Sequence, residues 1–599
     1  MTAGAKQDAE NAKRLAGELA AITEKCRRLM EQQADWMADD DGFRILHPMV
    51  VSKAFQDMMV KALEDPAELI KDQVAYWTNL TEVWQRTTAR FLSDAPVDPV
   101  VSPAPEDRRF KDQAWVEGPL FDLLKQCYLL TARHMQSSVG KVKGLDPHTQ
   151  RKLQFYTRQM ADAMSPANFA ATNPEVIRAT VDSRGENLLK GMTHLLDDIE
   201  RGHGHWSLKL TDLDSFQVGE NIAVTPGKVV FQNEMMQLLQ YAPSTETVHQ
   251  RPLLIVPPWI NKFYILDLKP QNSFIKWAVA QGHTVFLVSW VNPDKSYAGK
   301  TFEEYMHQGP LAALDAIEQA TGERRVNAIG YCIGGTLMAI TLAYMAAKRD
   351  RRIASITFFT SLLDFAEAGD ISVFIDEDQL ALMDEHMART GYLEGHHLAD
   401  AFSMLRDNDL IWSFVVRNYL LGREPMPFDI LYWNSDSTHM PATMHSFYLR
   451  NMYLRNLLRV PKGIRIGGVG IDLGKVRLPT YYLSTREDHI APWKSTYAGA
   501  RLLSGPVHFV LGGSGHVAGV VNPPVAAKYG YWTNEAEALP AEPDEWLAGA
   551  TGHEGSWWGD WDGWVAQFGG KQVAARQPGD GGLAPIEDAP GSYVKKRIV

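Results

Sequence analysis

The run Gly330-Tyr331-Cys332-Ile333-Gly334-Gly335 constrains this chain more than any other stretch. A Gly-x-nucleophile-x-Gly run between a strand and a helix demands a sharp, strained elbow. Its flanks fit that demand. Arg325 to Gly330 ends in a short apolar run suited to a buried strand, and Gly335 to Lys348 is apolar at helical spacing and rich in Ala, Leu and Met. Cys332 then falls at the strand's end and the helix's start. There the peptide dipoles favour a thiolate, and the glycines admit a turn too tight for side chains. A buried structural cysteine would leave the same six residues, so the partners decide.

An elbow of this kind calls for an acid and then a histidine downstream, each just after a strand. Leu478 to Thr485 reads as a strand and is followed by Arg486-Glu487-Asp488-His489. Val507 to Leu511 reads as another, followed by Gly512-Gly513-Ser514-Gly515-His516. The order Cys332, Asp488, His516 is that of the α/β-hydrolase fold, with room after the elbow for two strands and an inserted domain. On residues alone Glu487 stays open beside Asp488, and His489 beside His516. We favour Asp488 and His516, because a glycine-rich loop can bring an imidazole to the elbow, whereas His489 directly follows the acid. A free thiol has a pKa of about 8.5, so His516 is needed to take its proton and Asp488 to fix the imidazole tautomer.

An oxyanion hole needs the backbone N–H of Ile333 and a second donor from the loop after an earlier strand. Arg251 to Val256 is that strand, and Pro257-Pro258-Trp259-Ile260-Asn261-Lys262 the loop. Neither proline has an N–H to offer, which leaves Ile260 or Trp259 as the donor.

Eight segments in order, among them NPEVIRATVDSRGENLLKGM (173 to 192), VPPWINKFYILDLKPQNSFIKW (256 to 277), GYCIGGT (330 to 336), PFDILYWNSDSTHMP (427 to 441), STREDHIAPW (484 to 493) and GGSGHVAGVVNPP (512 to 524), resemble the polyhydroxyalkanoate synthases, specifically class I. The resemblance runs from about Asn173 to the C-terminus. It implies that Cys332 is the nucleophile and that Asp488 and His516 complete a triad. It further implies (R)-3-hydroxyacyl-CoA as substrate, with acyl chains of three to five carbons, a polyester product, association with polymer granules, and a homodimer formed through the cap. No obligatory second subunit or cofactor is implied. Two positions depart from the family pattern: Val291 stands where arginine is frequent and Asp407 where proline is frequent.

Composition agrees with a large enzyme. A chain of 599 residues, 45% of them apolar, can bury more than one typical core, and a net charge of −12 argues against nucleic acid or an anionic membrane surface as partner. Three widely spaced cysteines, Cys26, Cys127 and Cys332, offer neither a disulfide framework nor a thiolate metal site. The sequence shows no signal peptide and no apolar run long enough to span a membrane, so a cytoplasmic location is expected.

We expect residues 1–215 to form a mostly helical domain, with a Pro-rich linker at 95–107, and residues 216–599 to form the α/β-hydrolase domain. Within it a cap should occupy about 366–475, where strand–helix alternation is lost. Apolar and aromatic residues at amphipathic spacing in 43–92 fit either ordinary packing or a face that meets polymer or a granule partner. The tail from about Ala541 is assigned no chemistry. His203-Gly204-His205 and His396-His397 read as exposed loop histidines, because neither pair has a third ligand at suitable spacing, and no metal site is expected. The alternatives to a polymerase are a thioesterase or esterase of the same fold, or a non-catalytic granule-coat protein.

Overall fold

The computed structural model describes residues 3–39, 43–64, 67–93, 98–536 and 538–597. They divide into two compact units. One runs to Asp212 and takes in Asp400–Met426; the other comprises Leu213–Ala399 and the chain from Pro427 onward.

The first unit is helical. Its longest described helices are Ala3–Asp39, Ala67–Ser93 and Pro119–Lys141. Val83, Phe110, Trp115 and Leu123 make a small core there. Met59, Leu63, Trp77, Trp84 and Phe91 on the helices of 48–93 are exposed, so that amphipathic face is not consumed by packing among the described residues. The Pro-rich stretch departs from a free linker. Residues 94–97 lie outside the described residues, but Val101 is buried, and the N–H groups of Val100 and Val101 donate to Gln126 Oε1 at 2.7 and 3.4 Å. One glutamine acceptor thereby satisfies backbone that proline-rich sequence would leave solvated.

The second unit is built on one mixed sheet. Its strands are β1 (Gly227–Gln232), β2 (Met236–Tyr241), β3 (Leu253–Val256), β4 (Val285–Trp290), β5 (Val326–Tyr331), β6 (Ile353–Phe359), β7 (Thr480–Thr485), β8 (Val507–Gly512), β9 (Tyr531–Thr533), β10 (Thr551–His553) and β11 (Glu587–Asp588). Across the sheet the order is β10-β9-β8-β7-β6-β5-β3-β4-β2-β1-β11. From β8 to β4 every neighbouring pair is parallel, and the outer strands pair antiparallel. Every residue of β2 to β7 is buried; for the parallel strands β3 to β7 this is what cover on both faces requires, and it is why they read as continuous apolar runs. The hydrolase expectation holds: each predicted strand appears within two residues of its expected bounds.

Helices of this part of the chain include α1 (Ile333–Lys348), α2 (Glu377–Thr390), α3 (Gly395–Leu405), which crosses the unit boundary at Asp400, and α4 (Trp558–Ala566). Helix α1 is apolar all round and buried along nearly its whole length. Between β6 and β7 lie short helices and the two-residue pairing of Tyr392–Leu393 with Met440–Pro441. Part of that stretch, Asp400–Met426, groups with the helical unit rather than with the sheet.

The tail is structural. Trp557, Trp558 and Trp561 are almost wholly buried and pack with Phe274. Such buried indoles supply large apolar area while their N–H groups find acceptors.

Candidate active site

Cys332 sits between β5 and α1 at φ 53° and ψ −125°, a conformation that a non-glycine residue holds only when its surroundings enforce it. The enforcement is visible. The Cys332 N–H donates to the Phe359 carbonyl on β6 at 2.9 Å, and the Cys332 carbonyl accepts from Gly335 and Thr336 as α1 begins. A Cβ at Gly334 would lie 2.3 Å from the Val256 carbonyl oxygen and 2.6 Å from that of Pro257. At Gly330 it would lie 2.5 Å from the Gly335 Cα. The elbow glycines therefore let three backbone segments touch, and one of those segments is the start of the loop that carries Ile260.

The loop after β7 brings Asp488, not Glu487, into the interior; Glu487 is exposed. Asp488 Oδ1 accepts from the N–H groups of Ile490 and Ala491 at 2.9 and 2.8 Å, and its Oδ2 lies 2.7 Å from His516 Nδ1. His489 is half-buried beside the acid. Burial disfavours a charged imidazole at His516, but the hydrogen-bonded Asp488 carboxylate and the nearby Cys332 outweigh it and raise its pKa to about 10. Asp488 and His516 thus form a buried hydrogen-bonded pair, with Cys332 close enough to the ring to act on its charge.

The loop after β3 is held from two sides. Trp290 Nε1 donates to the Pro257 carbonyl at 2.9 Å, and the Thr438 hydroxyl donates to the carbonyls of Trp259 and Ile260. Ile333 opens α1, whose first-turn N–H groups lack intrahelical acceptors, as at any helix start.

Three features have no counterpart in the sequence pattern. Tyr331, one residue before Cys332, stacks on the His516 ring at 5.8 Å and donates its hydroxyl to the His516 carbonyl at 3.4 Å. In sequence it is indistinguishable from any aromatic strand residue. Tyr448 and Tyr453 stand near enough to Cys332 for its charge to act on them. Burial, reinforced by that charge, holds both hydroxyls well above the ordinary phenol range, so they are neutral donors. Trp557 and Trp558 in the tail donate to the carbonyls of Gly519 and Val520 at 2.8 and 3.0 Å, which props the segment just beyond His516.

The histidine pairs divide. His203 and His205 are exposed, as expected. His396 is exposed as expected, but the expectation for His397 is corrected: it is buried on α3, and α2 with the following turn brings His386 and Glu394 to it, so that the three could hold a metal ion. Distance in sequence concealed the third ligand. Asp407, the departure from proline, is buried with its Oδ2 lacking a hydrogen-bond partner among the described residues; burial, with Asp162 nearby, pushes its pKa to about 6.

With this geometry, similarity to known proteins becomes informative. Residues 106–278 match the family model of the poly-beta-hydroxybutyrate polymerase (PhaC) N-terminus, and residues 252–523 match that of the alpha/beta hydrolase fold. The chain is 52% identical over 536 residues to the poly(3-hydroxyalkanoate) polymerase subunit PhaC of Rhizobium meliloti, a match that covers 89% of this chain and 87% of that protein. The chain belongs to the poly(3-hydroxyalkanoate) polymerase family. Two further polymerases of the family, from Methylorubrum extorquens and Cupriavidus necator, are 51% and 44% identical and match 89% of this chain and 88% and 89% of their own lengths. No helix among the described residues of this polymerase is long and apolar enough to cross a membrane.

Proposed function

We propose that this polymerase joins (R)-3-hydroxyacyl-CoA units, short-chain ones such as 3-hydroxybutyryl-CoA, into a polyester through an acyl thioester on Cys332. One observation carries the assignment of roles: the His516 ring is paired with the buried Asp488 carboxylate at 2.7 Å, beside Cys332 on its strained elbow.

The Cys332 thiol passes its proton to His516, and the thiolate attacks the thioester carbonyl. Oxyanion charge is stabilised by the N–H groups of Ile333 and Ile260, each such donor being worth about 3 kcal/mol. CoA leaves with the proton that His516 returns. One thioester has replaced another, so the acyl group stays activated. His516 then takes the proton from the 3-hydroxyl of a second unit, whose oxygen attacks the acyl-Cys332. The ester forms, the Cys332 sulfur leaves and recovers the proton, and the cycle repeats. General-base help of this kind contributes about 10²- to 10⁴-fold. Asp488 orients the ring and stabilises the imidazolium.

Water competes with the hydroxyl at the second step. Tyr448 and Tyr453, which pack on Phe365 beside Cys332, are apolar-walled neighbours suited to exclude it. A thioesterase would share the triad and differ only here, and the family match disfavours it. We also assign this enzyme to the granule surface in the cytoplasm as a homodimer, supported by the exposed apolar side chains on the helices of 48–93 and by the resemblance to class I synthases.

The deciding experiment is product analysis with (R)-3-hydroxybutyryl-CoA. Polymer with equimolar CoA is expected, and free hydroxy acid without polymer would overturn the assignment. Cys332→Ala should abolish CoA release altogether; substantial turnover in that variant would refute the nucleophile.

A further inference from the structure

A second cluster of histidine and carboxylate lies in the same unit, on side chains that the polymerisation chemistry does not use. His386 projects from α2, Glu394 ends the turn after Tyr392–Leu393, and His397 lies in the first turn of α3. One ligand atom from each falls within 4.8 Å of the other two. His386 Nε2 is 2.6 Å from Glu394 Oε2, and His397 Nε2 is 4.0 Å from the same oxygen. Both imidazoles are buried, whereas the Glu394 side chain keeps 21% of its surface open to solvent.

We propose that His386, Glu394 and His397 bind one divalent transition-metal ion, zinc by the chemistry of the donors. The set is two imidazole nitrogens and one carboxylate oxygen with no thiolate, which suits borderline divalent ions and is a recurrent zinc combination. Bonds of about 2.0–2.1 Å in a tetrahedron place ligand atoms roughly 3.3 Å apart. At the two contacts with Glu394, adjustments of under an ångström reach that spacing: His386 and Glu394 separate slightly, and His397 closes in. The partial exposure of Glu394 leaves the fourth position to water.

Packing supports the same conclusion. The hydrogen bond between His386 and Glu394 leaves His397 at 4.0 Å from the carboxylate, whereas one divalent ion would engage all three side chains together. His439 backs the cluster: it stacks on Tyr392 at 4.2 Å and accepts from the Gly395 N–H at 3.2 Å through Nδ1. Metal bound here would tie α2 to the start of α3 across the intervening turn. Binding displaces whatever protons the imidazoles carry, so affinity falls as they protonate.

The test uses the full chain, stripped with chelator and titrated with Zn²⁺ by calorimetry. Metal content is read by elemental analysis and site geometry from the visible spectrum of the Co²⁺ form. Because Cys332 and His516 are a rival thiol–imidazole pair for zinc, the parent for the titration is Cys332→Ala. One equivalent of Zn²⁺, a tetrahedral Co²⁺ spectrum, and at least tenfold weaker binding in Glu394→Gln and in His397→Gln are expected. Zn²⁺ should also raise the Tm of the parent and leave that of either variant unchanged. Failure of the parent to take up one equivalent would overturn the proposal without reference to any variant, reducing the cluster to hydrogen bonding alone. Unweakened binding in both variants would overturn it equally.

Discussion

Two histidine–carboxylate pairs in one unit, each with a buried imidazole, invite comparison. His516 and Asp488 meet at 2.7 Å, His386 and Glu394 at 2.6 Å, so the pairs themselves are nearly alike. Their surroundings differ. Asp488 is closed off from solvent and locked by two backbone N–H donors, and its histidine faces a thiol on a strained residue. Glu394 is partly open, and its histidine faces another imidazole. The pair is thus common to both places: beside a strained thiol it fits the proposed proton relay, and beside a second imidazole the proposed ligand set.

The largest effect expected from breaking the first pair is that of Asp488→Asn. It preserves shape but holds the wrong imidazole tautomer, and the rate of CoA release should fall by about 10⁴-fold. A loss near that seen on altering the second pair would erase the distinction. Next comes the strain on which only the first pair depends. Gly334→Ala forces a methyl against the carbonyls of Val256 and Pro257 and should cost about 3 kcal/mol, read as a lowered Tm with reduced CoA release. Zinc uptake by the folded fraction should be unchanged.

Proton linkage separates the pairs further. The pKa of His516 is raised to about 10 in the folded protein, against about 6.5 unfolded. Its contribution to stability is therefore complete below pH 6.5 and is lost as pH rises from there through 10. The Tm advantage of the parent over His516→Gln should shrink across that window, and a constant difference would refute the shift. The smallest effect is Tyr331→Phe, which removes one long hydrogen bond to the His516 carbonyl but keeps the ring stack. It should slow CoA release by less than about tenfold, on the scale of about 1 kcal/mol for a single neutral hydrogen bond.

These contrasts also explain what could be read from sequence. The elbow, Asp488 and His516 were legible because each follows a short apolar strand and the glycines mark its turn. Local pattern and global fold agree there. The His386–Glu394–His397 cluster was not, since its spacing carries no motif and only the turn between α2 and α3 brings the three together. Nor was the role of Tyr331, whose strand position accounts for it fully. The grouping of Asp400–Met426 with the helical unit, and the anchoring of Val100 and Val101 on Gln126, depend on contacts between segments distant in sequence that no periodicity encodes.

The indoles of Trp557 and Trp558 have a consequence for timing. They hold the carbonyls of Gly519 and Val520, just past His516, yet they emerge from the ribosome after every member of the triad. Synthesis adds about 5–20 residues per second and domains fold as they appear. A nascent chain that has already exposed Cys332, Asp488 and His516 still lacks the wedge that sets the histidine segment. The prop on the segment after His516 is therefore complete only once Trp557 and Trp558 have been made.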